Sequence, residues 1–115
     1  MYSTLLALDK DGHPIGGVIF IPALGEIIVA AEGSGAWHQK RGESSWQRAR
    51  VSATKSLSKA VFVSSQFDAF GQRGAEEAFK RLERDCWITR TWGDGFGNLM
   101  VATGRAELMI DPICN

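Results

Sequence analysis

Apolar and polar stretches alternate through the first half of the chain in a pattern that predicts an antiparallel sheet. The predicted strands are residues 5–8, 15–21, 26–32, 36–38 and 48–51. The turn at Asp9–Pro14 contains an Asp-Gly pair, which supplies the positive φ that a hairpin needs. A second turn at Pro22–Gly25 precedes the third strand. Consecutive strands joined by short turns predict a meander.

In the second half the pattern changes, and strands alternate with helices. Four apolar residues recur at helical spacing between residues 74 and 85, which predicts an amphipathic helix. Strands are predicted at residues 60–64, 86–89 and 107–110, and a second helix at residues 96–103. Gly104 follows that second helix in the position typical of a helix end. The resulting βαβαβ order predicts an α/β layer.

Composition narrows the function classes. The chain has 115 residues, 13 of them basic and 13 acidic, a length that fits one small domain. A balanced charge argues against a nucleic-acid partner, because phosphate binding needs an excess of basic residues. The sequence shows no signal peptide and no apolar run long enough for a membrane span, so we expect no membrane partner. Cys86 and Cys114 lack zinc-site spacing, which favours free thiols in a reducing cytoplasm.

The glycine-rich run Gly93-Asp94-Gly95-Phe96-Gly97 lies between a predicted strand and a helix. Free N–H groups at a helix start suit an anion such as phosphate. The spacing matches neither a dinucleotide-binding fingerprint nor a Walker A loop. The alternative is a tight βα turn in which glycine allows close packing.

Other candidates for catalysis carry less information. Ser64-Ser65 follows a strand but lacks the G-x-S-x-G elbow, which disfavours a serine hydrolase. Arg105 and Asp111 lie on either side of a short strand, where they either face a common cleft or are solvated.

Several segments together resemble the inositol monophosphatase family. The matching segments are residues 5–8, 16–19, 22–26, 31–37, 92–95, 101–107 and 109–112. Their order and spacing cover essentially the whole chain. The Gly-Asp pair at Gly93-Asp94 makes the chain most similar to the branch of bacterial histidinol-phosphate phosphatases. The resemblance implies a layered α/β sandwich that is present only in part, with an antiparallel sheet portion and loop at residues 1–58 and an α/β portion at residues 59–115 of a single partial domain.

The resemblance also implies the chemistry. Members hydrolyse small phosphate monoesters with Mg²⁺, which polarises the phosphate and activates a water for in-line attack. The family's metal-binding carboxylates come from an upstream Glu, an Asp-Pro-x-Asp-Gly-Thr motif and an Asp after a Trp. None of these is present, so we expect an internal fragment without significant turnover of its own.

Only positions on the substrate side carry over by resemblance. Gly93, Asp94 and Gly95 match the turn that faces the non-phosphate part of the substrate. Asp111 matches an acidic residue that contacts substrate hydroxyls or an amine, and Arg105 matches a basic position near the substrate mouth. Two acidic groups in a partly desolvated cleft would suit a cationic amine such as that of histidinol.

The sequence thus predicts a cytoplasmic, magnesium-dependent phosphomonoesterase fragment that binds a small phosphate ester. No catalytic or metal-binding residue is assigned in the chain. The alternative is a non-catalytic module that forms a homodimer through open sheet edges or binds an anion at the Gly93 turn.

Overall fold

A computed structural model describes residues 2–113, which divide between Arg50 and Val51 into two compact units. The first unit contains β1 (Thr4–Lys10), β2 (His13–Ile21), β3 (Glu26–Ala31), β4 (Gly35–Gln39) and β5 (Gln47–Arg48). The second contains a 3-10 turn (Leu57–Lys59), β6 (Val61–Val63), α1 (Asp68–Gln72), α2 (Glu76–Asp85), β7 (Ile88–Arg90), α3 (Asp94–Ala102) and β8 (Leu108–Met109). Among the helices of residues 2–113, none has the length and apolar character that a membrane crossing requires.

The first unit is the antiparallel meander that the sequence predicts. Its strands pair in the order β1-β2-β3-β4-β5, each with its neighbour in the chain. The first hairpin turns at Asp11 and Gly12, whose φ values are +56° and +79°. The Gly12 N–H donates to Asp9 Oδ1 at 2.8 Å. The Asp-Gly pair therefore forms the turn because its residues adopt a positive φ, as the sequence predicts.

The second unit is a three-stranded parallel sheet in the order β7-β6-β8, with helices on both faces. Phe62, in the middle of β6, packs with α1 and α2 in one buried cluster that includes Phe70 and Phe79. Its neighbour Val63 points to the other face and packs with Met100 of α3. This alternation of side chains along β6 places a helical layer on each side. The predicted α/β layer is confirmed.

Helix α1 was not expected from the sequence. Its five residues are too few to show a helical period, and they include a glycine. The predicted helix at 74–85 begins instead at Glu76. Gly74 has a φ of +68° and accepts the left-handed conformation between the two helices. The buried Cys86 is a free thiol, whereas Cys114 lies outside the described residues.

The three strands of this sheet run parallel, so their carboxyl ends meet at one edge. The Ser64 N–H donates to Arg90 O at 3.1 Å, and the Ile110 N–H donates to Val63 O at 3.2 Å. These bonds continue the pairing one residue beyond β6 and one residue beyond β8. The segments that follow β6, β7 and β8 therefore begin side by side. In open α/β sheets this edge is where ligands bind.

Glu107 ties the start of β6 to the segment before β8, and its ionisation should affect stability. Its Oε2 accepts the Val61 N–H at 2.6 Å. Burial raises the pKa of the Glu107 carboxyl, but hydrogen bonds outweigh it and hold that pKa below its usual value. The donors are the Val61 amide, the side chains of Ser52 and Thr54, and the main-chain N–H of Glu107 itself.

A carboxyl with a lowered pKa in the folded chain contributes stability above its unfolded pKa and loses it as pH falls through the folded value. We expect the free energy of unfolding to fall below about pH 4.3, and Glu107→Gln to weaken that dependence at a cost of about 1 kcal/mol at pH 7. Urea unfolding between pH 7 and pH 3 measures both effects. The exposed Glu83→Gln on α2 is the control, and an equal response from the two variants would contradict the assignment.

Candidate functional site

Ser65, the second residue after β6, lies between two carboxylates at the carboxyl edge of the parallel sheet. Its Oγ is 2.5 Å from Asp111 Oδ2 and 3.1 Å from Asp94 Oδ1. Its main-chain N–H donates to Asp111 Oδ1 at 2.6 Å. One serine thus contacts the segments after β7 and β8. The structure brings together Asp94 and Asp111, which the sequence nominated separately.

Asp111 is the more enclosed of the two carboxylates. Each of its oxygens accepts a hydrogen bond from Ser65, one from the amide and one from the hydroxyl. Ser64 Oγ lies 3.4 Å from Oδ1, beyond the usual length of such a bond. The segment after Asp111 is held by Arg73, whose Nε donates to Pro112 O at 2.8 Å. Hydrogen bonds from Ser65 and Arg73 therefore hold the Asp111 segment in place.

Gly93 allows the Asp94 segment to approach Ser65. A Cβ at Gly93 would overlap the Oγ, Cα and N atoms of Ser65. The Gly93 φ is −87°, which any residue can adopt, so space rather than backbone conformation requires glycine here. The Asp94 N–H then donates to Ser65 Oγ at 2.8 Å. Close packing at a βα turn accounts for this glycine.

Asp94 presents its carboxylate from the first position of α3. Its φ of +53° is left-handed, a conformation that Asp tolerates better than most residues. Its side chain is exposed. The amino end of a helix stabilises a negative charge. Asp94 is therefore held by its main chain, while its carboxylate faces solvent.

The structure gives the other two nominated residues different positions. Gly95 is buried in the first turn of α3, directly after Asp94. Arg105 lies beyond the opposite end of α3, where its Nε donates to Thr103 Oγ1 at 2.9 Å. A nine-residue helix is about 13 Å long, so α3 separates Arg105 from the Asp94 end. Its role at a substrate mouth stays a prediction.

Ser65 is the residue that sequence reasoning missed. The sequence around Ser65 suggests only a hydrolase nucleophile, a role that its surroundings do not fit. The useful pattern is its place in the βαβαβ order: Ser65, Asp94 and Asp111 each follow one of the three parallel strands. Because those strands end at the same edge, this order alone could have placed the three together.

The described residues do not fit a magnesium centre. Within residues 2–113, no group of three or more His, Cys, Asp or Glu side chains is arranged to hold a metal ion. Mg²⁺ prefers several oxygen ligands in octahedral geometry, and the two carboxylates at this sheet edge, Asp94 and Asp111, do not make up such a set. No metal-dependent step can be derived from this arrangement.

Comparison with models of known protein families shows which family this chain belongs to. The model of the inositol monophosphatase family matches residues 1–113. The chain therefore belongs to the inositol monophosphatase family, as the sequence resemblance implies.

Within this family, the chain is similar in sequence to histidinol-phosphatases and to an inositol-1-monophosphatase. The histidinol-phosphatase of Chlorobaculum parvum is 33% identical over 113 residues, covering 98% of this chain and 41% of the relative. That of Streptomyces coelicolor is 35% identical over 116 residues, covering 97% and 43%. An inositol-1-monophosphatase of Rhizobium meliloti is 38% identical over 60 residues, covering 52% and 20%. The chain thus spans about two fifths of the histidinol-phosphatases it matches.

Solved structures agree with the fold. An IMPase from Thermotoga maritima superposes with a TM-score of 0.71 at 30% identity, covering 95% of this chain and 39% of that one. SuhB of Mycobacterium tuberculosis gives a TM-score of 0.76 at 20% identity, covering 96% and 44%, a likeness in fold alone. The expected α+β arrangement, covering part of the family fold, is confirmed.

Proposed function

We propose that this chain carries the substrate-recognition part of a cytoplasmic, magnesium-dependent phosphomonoesterase. The substrate is a small phosphate ester such as histidinol phosphate or inositol monophosphate. Membership of the family supports the reaction class, and the names of the relatives support the substrate class. The observation that carries the proposal is the convergence of Asp94 and Asp111 on one serine hydroxyl.

This convergence favours a cationic substrate group. Two carboxylates beside one hydroxyl concentrate negative charge at the sheet edge, and the repulsion between them raises the electrostatic energy of the site. A nearby positive charge lowers that electrostatic energy. The ammonium group of histidinol offers three N–H donors and no acceptor, which suits carboxylate oxygens. Inositol hydroxyls would also find acceptors here, but they gain less because they carry no charge.

The described residues act on the alcohol side of the ester. They bind and orient this part of the substrate through Asp94, Asp111 and the turn at Gly93 and Gly95. Binding that is equally strong before and during the reaction does not accelerate it. Phosphate hydrolysis in the family depends on magnesium, and these residues supply no site for it. The chain by itself is therefore proposed to recognise without catalysing.

An assay with histidinol phosphate and magnesium tests the proposal. We expect this chain to release phosphate no faster than buffer with magnesium alone. The Streptomyces coelicolor histidinol-phosphatase, assayed in parallel, shows that the conditions support hydrolysis. Robust hydrolysis that depends on both this chain and magnesium would contradict the proposed division between recognition and chemistry.

One observation favours the alternative of a non-catalytic, self-associating module. β1 is an edge strand, and its Leu5, Leu6 and Leu8 are 57%, 62% and 61% exposed. Unpaired edges with apolar side chains recruit other strands. Light scattering, which gives the oligomeric state, and a histidinol titration together separate the two functions. A homodimer that does not bind histidinol favours the module, and a chain that binds histidinol favours recognition.

An anion at the Gly93 turn is disfavoured by the two neighbouring carboxylates.

A further inference from the structure

Strand β1 forms one edge of the antiparallel sheet and is unprotected there. Within residues 2–113 it pairs with β2 alone, and all seven of its residues are exposed. Proteins usually block such an edge with a charge, a proline or a covering element, because its free N–H and C=O groups pair with other strands. The stretch Thr4–Leu8 contains neither a charge nor a proline. This edge is therefore open to a further strand.

The hydrogen-bonding pattern of the sheet shows which main-chain groups face the open edge. Leu6 lies opposite Val18 of β2. A Cβ at Gly17 would lie 3.5 Å from the Leu6 carbonyl oxygen, so this carbonyl is directed toward β2. In an antiparallel ladder, alternate residues bond to the same neighbour. Leu5 and Ala7 therefore turn their N–H and C=O groups away from β2, to the open edge.

We propose that this edge binds a second copy of the chain, with the two β1 strands antiparallel and related by a two-fold axis at Leu6. Leu5 of each chain then lies opposite Ala7 of the other. Each such pair exchanges two N–H···O=C bonds, so the free main-chain groups of both residues are satisfied. The two five-stranded sheets become one continuous sheet. The inference goes beyond the proposed function, because it does not depend on what the chain recognises.

Apolar side chains cover both sides of this junction. In the proposed register Leu6 faces its own copy and Leu8 faces Thr4, all on one side of the sheet. Leu6 and Leu8 are 62% and 61% exposed in the single chain, and apolar cross-strand pairs stabilise a sheet. On the opposite side each Leu5, itself 57% exposed, meets an Ala7. A second copy therefore covers the three leucines of β1.

The end of the regular pairing selects this register. The β1–β2 pairing shifts between Leu8 and Asp9, and an irregularity of this kind twists an edge away from further pairing. The regular stretch is therefore Thr4–Leu8, whose central residue is Leu6. An axis at Leu6 makes the contact symmetric and leaves Asp9 and Lys10 outside it. No charged side chain then faces its own copy, which favours self-pairing.

The size of the contact predicts a reversible dimer. Five residues of strand are about 17 Å long, and their pairing covers much less than the roughly 1,600 Å² of a standard protein–protein interface. Interfaces of that standard size already include complexes of only micromolar affinity. We therefore expect the two copies to associate with a dissociation constant of about 100 µM.

Sedimentation velocity of the whole chain measures this association from about 10 µM to about 1 mM, a range that brackets the expected constant. We expect an equilibrium between monomer and dimer. Leu6→Lys places two like charges opposite each other and should raise the dissociation constant about tenfold or more. Leu24→Lys is the matched control, since Leu24 is 41% exposed in the turn between β2 and β3. It should leave the constant unchanged.

A charge-swap experiment tests the position of the axis. Leu6→Asp alone should also prevent dimer formation, because two carboxylates would face each other. In an equimolar mixture of the Leu6→Lys and Leu6→Asp chains, opposite charges meet at the axis, and we expect dimers to return. Urea unfolding confirms that each variant is folded at the temperature of the measurement.

Three results would overturn the inference. A chain that stays monomeric up to about 1 mM does not pair through β1 at the expected strength. An association that Leu6→Lys leaves intact places the interface elsewhere on the molecule. If both charged variants are monomeric and their mixture does not associate, the two strands do not meet at Leu6.

Discussion

Replacing Gly93 with alanine is expected to destabilise the chain by about 3 kcal/mol, near the upper end of the usual cost of overpacking. The added Cβ would overlap three atoms of Ser65, two of them in the main chain. Main-chain atoms cannot rotate away as a flexible side chain can, so the turn itself must move. The Asp94 N–H would then lose its bond to Ser65 Oγ. Urea unfolding measures the loss of stability, and histidinol titration measures the loss of binding.

Gly71 in α1 offers a matched control. A Cβ there would meet no atom within 4 Å, and alanine favours a helix more than glycine does. Gly71→Ala should therefore leave stability unchanged or raise it by about 0.5 kcal/mol. If Gly93→Ala were as harmless as Gly71→Ala, the close approach of the two segments would be wrong.

Replacing Asp111 with alanine is expected to cost about 2–3 kcal/mol. The change removes both hydrogen bonds that Ser65 makes to this side chain. The Ser65 amide is left without a partner in a half-buried position, and an unsatisfied donor keeps its full desolvation cost. Without its anchor the Ser65 loop no longer fixes Asp94, so histidinol binding should weaken as well. Urea unfolding and histidinol titration measure the two effects.

Asp111→Asn separates the anchor from the charge. Its amide oxygen can still accept the Ser65 N–H, so its loss of stability should be about 1 kcal/mol, smaller than that of Asp111→Ala. Equal losses from the two variants would mean that charge, rather than the hydrogen bond to the Ser65 amide, gives Asp111 its structural role.

Much of the fold follows from local pattern. The Asp-Gly pair sets the first hairpin, and the alternation of strands and helices after residue 59 predicts the α/β layer. Helix α3 ends at Ala102, before a left-handed Gly104, as glycine at that position predicts. These features depend on residues close together in the chain, which is why the sequence alone reveals them.

The arrangement of the site depends on residues far apart in the chain. Ser65 reaches Asp94 and Asp111 across 29 and 46 positions. No local period carries this information; it arises because three parallel strands end at one edge. Asp94 and Asp111 could therefore be nominated from the sequence, but their convergence on Ser65 could not.

Ser65, Asp94 and Asp111 are proposed to form one recognition site for the alcohol part of a phosphate ester. The most direct measurement is a titration of the ¹⁵N-labelled chain with histidinol in the absence of metal. We predict that the amide signals of these three residues shift together and saturate at a common dissociation constant. Shifts that leave these amides unchanged, or that fit different constants for Asp94 and Asp111, would contradict the claim.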